Sequence, residues 1–249
     1  MARINKHGFT IIETMLFLAI SGSLVIALLV GTGVSIRNQR YRDSVTYLQS
    51  VIQDQYSRVS SVSNGMDGFG CDSLSVEISE NNNVYRGHSD CVIIGRLIIP
   101  KENGTVFDSL EVYDVVSNEG DVDSYNNDDI KALTRDGSAK FEIFPISKEQ
   151  YDIPWGASIY RQDDNNPFSV LILKSPLSGE VRTFIDNDND VSAGSATVLE
   201  MVSVENLSNT ITLCVEASSE SGPKSAVRVN AGASNASGVE TLGADSGCL

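Results

Sequence analysis

The chain has 249 residues, enough for one large domain or two small ones with a buried core. Its 18 Lys and Arg stand against 33 Asp and Glu, a net charge of −15, and much of the acidic excess follows residue 70. Such a surface repels phosphate backbones, which makes nucleic acid an unlikely partner and suits divalent cations or basic surfaces better.

The first element in chain order is the uncharged run MLFLAISGSLVIALLVGTGV (15–34). At about 1.5 Å per residue it is long enough to cross the hydrocarbon core of a bilayer, so a single spanning helix is expected over residues 9–36. Arg3 and Lys6 precede the run and the long acidic part follows it. By the positive-inside tendency the N-terminus stays cytoplasmic and residues from about 37 onward face outward. After the run the pattern becomes one-sided: Tyr41, Val45, Leu48, Ile52, Tyr56, Val59 and Val62 recur at steps of three or four between polar residues. This predicts an amphipathic continuation of the same helix over 37–64, stopped by SNGMDGFG (63–70) with its three glycines and Asn64. From Phe9 to Ser63 such a helix would be about 80 Å long, and its outer half needs a partner along one stripe.

Residues 65–249 supply that partner as short strands between turn residues. The candidates are 73–79, 91–100, 109–116, 139–146, 157–162, 168–174, 180–186, 211–218 and 226–232, with Ala233–Gly238 read as a small-residue turn or tail. The expected class is α+β: a long N-terminal helix packed on an antiparallel sheet or sandwich. Cys71, Cys91, Cys214 and Cys248 all fall in the part placed outside the membrane, where oxidation produces disulfides. Four cysteines allow three connectivities; Cys71–Cys91 with Cys214–Cys248 is favoured because each closes a local loop. No CxxC pair is present to favour a zinc site instead.

The N-terminus carries the strongest functional signal. Cleavage after Gly31-Thr32-Gly33, as by a signal peptidase, would discard the span and leave Glu13 without a purpose. Cleavage between Gly8 and Phe9 removes Arg3, Lys6 and His7, keeps the helix, and creates a new α-amino group four residues from Glu13 on one helical face. Lys6-His7-Gly8 followed by Phe9-Thr10-Ile11-Ile12-Glu13 and an apolar helix resembles the leader and N-terminus of type IV pilins and the pseudopilins of type II secretion. The resemblance implies a leader of residues 1–8, cut by the prepilin peptidase and N-methylated at Phe9. It also implies that Glu13 neutralises the amine of a neighbouring subunit, since an unpaired charge in a dry filament core is costly. Loss of Arg3 and Lys6 would take the chain to 16 basic and 33 acidic residues, −17.

A looser similarity joins TFIDNDNDVSAGSATVLEMVSV (183–204) and the late strand Ala226–Val229 to H-type pseudopilins and FimT-like minor pilins, which carry a β-sandwich on the helix. Some FimT-like members bind DNA through C-terminal basic residues; here the last 30 residues offer only Lys224 and Arg228, which argues against DNA uptake. Asp186, Asp188 and Asp190 have the 1-3-5 spacing of a calcium loop, but Val191 and Thr197 stand where an EF-hand needs Gly and Glu. A solvated Asx-rich turn is the competing reading, and it is favoured for Asp121, Asp123, Asp128 and Asp129. Two histidines, His7 and His88, and no GxSxG, HExxH or GxxxxGK[ST] motif argue against an enzyme. Trp155, following Pro154, reads as a core or turn anchor.

The expectation is therefore a structural subunit: inserted in the cytoplasmic membrane, processed after Gly8, and assembled into an extracellular homo-oligomeric filament with the help of the assembly platform and minor pilins. The alternatives are an H-type pseudopilin or minor pilin of a secretion or DNA-uptake system, and a membrane-anchored adhesive or calcium-binding domain that never polymerises.

Overall fold

A computed structural model describes residues 10–61, 91–115, 141–162, 168–175, 178–186, 198, 201–202, 204–217, 224–243 and 246–248. It confirms the α+β class. Helix α1 (Ile11–Ser60) is followed by strands β1 (Cys91–Lys101), β2 (Val106–Val115), β3 (Phe141–Asp152), β4 (Ala157–Arg161), β5 (Ser169–Lys174) and β6 (Val181–Asp186). The short helix α2 (Val204–Ser208) then leads to β7 (Ile211–Ala217), β8 (Ala226–Val229) and β9 (Val239–Leu242). Two units result, Met1–Arg42 and Asp43–Leu249.

In the second unit the strands form two antiparallel sheets, one ordered β3-β2-β1-β5-β6 and the other β4-β7-β8-β9. Strand alternation gives the larger sheet two buried faces. On one, Leu110, Leu97, Leu171 and Phe184 lie in register across four strands and join Val198, Met201 and Val202 in a core cluster. On the other, Ser109, Ile98, Val170 and Ile185 form the adjacent row. That second face receives the outer part of α1, whose Val45, Leu48, Ile52, Tyr56 and Val59 are all buried. At about 1.5–3 kcal/mol for each large apolar side chain removed from water, the stripe contributes on the order of 10 kcal/mol before chain entropy is counted. Its members are five of the seven positions that the three-and-four periodicity selects.

Close approach fixes the glycines at two junctions. Gly104 ends the β1–β2 turn at φ +81°, and a Cβ there would collide with the backbone of Ile159 in β4. It thus serves both a left-handed turn and the contact between the two sheets. Gly95, at a bulge in β1, lies so close to Ile172 and Leu173 of β5 that a side chain would force the strands apart.

Several boundaries differ from the sequence expectation. β3 runs to Asp152, well past Ile146, because the polar stretch of this edge strand is satisfied by ion pairs, Lys148 with Asp108 at 2.8 Å and Glu149 with Arg58 at 2.8 Å. β9 pairs with β8 beyond the expected tail: Ala236–Gly238 is a single 3₁₀ turn, begun by the Asn235 side chain accepting from the Ser237 N–H at 2.8 Å, that returns the chain to the sheet. The candidate strand 73–79 lies outside the described residues.

Candidate functional site

The N-terminal unit begins with a capped helix. Thr10 Oγ1 accepts the Glu13 backbone N–H at 3.3 Å, and the Thr14 N–H reaches the Thr10 carbonyl at 3.2 Å. Thr10-Ile11-Ile12-Glu13 is thus the spacing of a capping box, with the carboxylate in the first turn where the helix dipole favours a negative charge. The Thr-x-x-Glu pattern is the sequence signal for this cap, to which Glu13 contributes its backbone N–H and a carboxylate in the first turn. Gly8 and Phe9 lie outside the described residues.

Beyond the cap, α1 presents an apolar surface that none of the described residues covers. Ile11, Phe17, Leu24, Leu29 and Ile36 are 76%, 71%, 59%, 67% and 49% exposed, and an 18-residue window with mean hydropathy 2.3 is 0% buried. A water-soluble helix does not leave such a surface bare; this one has the length and composition to cross a membrane. Its polar side chains are internally satisfied. Thr14, Ser21, Ser23 and Thr32 donate their hydroxyls to the carbonyls of Ile11, Leu18, Ile20 and Leu29 at 2.8–3.2 Å. That back-bonding suits an apolar medium, where an unpaired hydroxyl has no water to bond.

In the second unit, a polar network runs along the seat of α1. Ser44 donates to the Pro154 carbonyl at 2.9 Å, Gln49 to that of Val239 at 3.2 Å, and Gln53 to that of Ala236 at 3.2 Å. Gln55 is fully buried: its Nε2 donates to the Tyr151 hydroxyl at 3.2 Å, and its Oε1 accepts from Ser109 at 2.8 Å. Arg58 bridges Asp54 of its own helix at 2.6 Å and Glu149 of β3 at 2.8 Å. Arg96, almost fully buried on β1, pairs with Glu111 at 2.5 Å and approaches Glu149 at 3.4 Å. Apolar periodicity cannot find Ser44 or Gln55, because both are polar residues inside a stripe of hydrophobic ones.

These contacts set the local ionisation. Burial pushes the Glu149 carboxyl up, but the hydroxyl that Tyr151 donates to it at 2.6 Å and the charges of Arg96 and Arg58 outweigh burial and hold it below the ordinary value of 4.5. Tyr151 moves the opposite way, through burial and its bond to Glu149. Burial pushes Tyr56 up to about 12, against the lowering effect of its hydrogen bond to Thr183.

The remaining predicted positions are scattered. Cys214 of β7 forms a disulfide with Cys248 of the C-terminal tail across 34 residues of sequence, as expected. Cys91 opens β1, but Cys71 and hence the Cys71–Cys91 pairing lie outside the described residues. Asp186 is buried at the end of β6, opposite Ser169. Asp188, Asp190, the 121–129 acidic loop and His88 also lie outside. Among the described residues, no group of three or more His, Cys, Asp or Glu is arranged to hold a metal ion. Trp155 occupies a Pro-Trp-Gly 3₁₀ turn and is 56% exposed, so it belongs to a turn and not to the core. Comparison with known protein families, with curated proteins and with solved structures finds no match to this chain.

Proposed function

We propose that this chain is a type IV pilin-like structural subunit: membrane-inserted as a precursor, cut after Gly8, and polymerised through the apolar part of α1 into a filament outside the cell. The observation that carries the reading is a carboxylate, Glu13, in the first turn of a helix whose next large residues are apolar and exposed, four residues from where the cut would create an amine. A long uncovered apolar helix can be buried in lipid and then against other copies of itself, and an ion pair at its end would select one register between copies. The Cys214–Cys248 disulfide independently favours an oxidising compartment for the globular unit. The similarity of residues 183–204, part of which forms β6, to minor pilins and H-type pseudopilins supports a scarce tip or secretion component as the second reading.

The first test is the mass of the mature N-terminal peptide. A start at N-methyl-Phe9 is expected, whereas an intact Met1 or a start after Gly33 would falsify the assignment. A pair of variants then separates the two roles of Glu13. Thr10→Ala removes the cap, costs about 1 kcal/mol at the helix end, and should leave filaments in place. Glu13→Ala should abolish filaments while the chain still inserts; filaments that survive Glu13→Ala would overturn the carboxylate's role in setting register between copies.

A further inference from the structure

The charges of the chain are unevenly placed. Residues 43–249 hold 32 of the 33 acidic residues and 13 of the 18 basic ones, a balance of −19. Residues 14–42 contain no Asp, Glu or Lys; their charges are Arg37, Arg40 and Arg42, all exposed on α1. In an acidic chain, this short stretch is the part that suits an anion.

The level of the three arginines follows from the helix itself. The uncharged run 14–36 has 23 residues and rises about 34 Å, slightly more than the roughly 30 Å of bilayer hydrocarbon. With that run embedded, Arg37 stands at the hydrocarbon boundary. Arg40 and Arg42 follow about 4.5 and 7.5 Å further along the axis, within a headgroup layer about 5–8 Å thick. Arg37 turns back toward the boundary, its Nε donating to the Gly33 carbonyl at 3.4 Å. The four N–H donors on its two terminal nitrogens are the planar set that grips a phosphate through two parallel bonds. At about 100° per residue, Arg40 is a neighbour of Arg37 while Arg42 lies about 140° round the helix. The arrangement is a collar and not a face, which matches headgroups lying on every side of a spanning helix better than one partner protein on one side. Arg40 also interacts within the chain, so the weight falls on Arg37 and Arg42. We propose that Arg37, Arg40 and Arg42 form a phosphate-binding collar that selects anionic phospholipid headgroups around the end of the apolar run. The inference rests on insertion of α1, holds whichever side of the membrane the globular unit faces, and does not depend on filament assembly.

The test uses the full chain reconstituted at low protein-to-lipid ratio into phosphatidylcholine vesicles, with insertion established separately by resistance to alkaline extraction. A trace of spin-labelled phosphatidylglycerol or phosphatidylcholine then reports which lipid is immobilised beside the protein. Each arginine near an anionic surface is worth about fivefold, so phosphatidylglycerol should be preferred by on the order of tenfold at low salt. The preference should shrink severalfold in about 0.5 M salt, where the Debye length is only about 4 Å. Replacing all three arginines by Gln should bring it close to equality, while replacing all three by Lys keeps the charge and should keep most of it. Arg3→Gln with Lys6→Gln is the control for the other end of the span and should leave most of the preference in place. An inserted chain with no preference overturns the proposal, as does a preference that survives the Gln variant or is lost only with Arg3 and Lys6. Equal loss in the Gln and Lys variants overturns the electrostatic account, and a preference that appears only as the protein-to-lipid ratio rises assigns the arginines to contacts between copies. Failure of the chain to resist extraction would instead overturn the membrane reading on which the collar depends.

Discussion

The seat of α1 on the larger sheet contains a hydrogen-bond chain whose direction can be deduced. Thr183 Oγ1 lies 2.7 Å from the Ala233 carbonyl and 2.7 Å from the Tyr56 hydroxyl, all of them buried. A threonine hydroxyl has one proton, and the carbonyl can only accept; Thr183 therefore donates to Ala233, and Tyr56 donates to Thr183. The two ends of this chain should then respond unequally to mutation. Tyr56→Phe removes a donor and leaves Thr183 still bonded to Ala233, a loss of about 1 kcal/mol. Thr183→Val keeps the volume but strands two buried groups, the Tyr56 hydroxyl and the Ala233 carbonyl, each costing about 1–3 kcal/mol, so a loss of roughly 2–5 kcal/mol is expected. The assay is urea unfolding of the full chain in mild detergent, followed by Trp155 emission, with the double variant completing the cycle. In the double variant the cost should fall below the sum of the singles, since the phenyl ring that replaces Tyr56 carries no hydroxyl to be left unsatisfied. Thr183→Val costing no more than Tyr56→Phe, or strict additivity, would refute the deduced direction.

Other expectations follow from the same contacts. Gly104→Ala should cost roughly 3 kcal/mol or more, read as a lowered unfolding midpoint or loss of soluble protein, because strain at positive φ adds to collision with Ile159. Reducing Cys214–Cys248, which closes a loop of 34 residues, should lower stability by about 3–4 kcal/mol, seen as a lower midpoint in the presence of reductant. Stability should decline at both ends of the pH range for identifiable reasons. Tyr56 binds its proton more tightly when folded, so its contribution is intact below about 10 and is lost as pH rises toward about 12. Glu149 binds its proton less tightly when folded, so its contribution is present above 4.5 and disappears as pH falls below that value; Glu149→Gln should flatten the acid limb.

Much of the architecture was legible because apolar side chains repeat with the period of the element that buries them. Val45, Leu48, Ile52, Tyr56 and Val59 marked the buried stripe of α1, and runs such as Phe168–Lys174 and Glu180–Asp186 marked central strands. The signal failed where burial is polar or incomplete. Edge strand β3 carries charges that are paired with its neighbours, β9 has only four residues with Glu240 and Thr241 exposed, and Gln55 is buried because its amide is satisfied at both ends. Trp155 illustrates the reverse case, a residue type associated with cores that stands in solvent because its turn holds it there. Orientation in the membrane is weakly marked in the sequence: Arg37, Arg40 and Arg42 follow the apolar run and offset Arg3 and Lys6.

The side-chain bonds that seat the outer part of α1 also have a mechanical meaning. They extend from Ser44 to Ser60, whose carbonyl accepts from Lys174 at 3.1 Å, and they engage partners in both sheets. Tension drawn along the helix loads these attachments side by side, together with the buried stripe between them, and does not open them one after another. A joint loaded in shear resists far more force than one that is peeled. Ser44, Gln49, Gln53, Gln55 and Arg58, set between and beside the apolar positions of the stripe, are therefore the rivets of this seat.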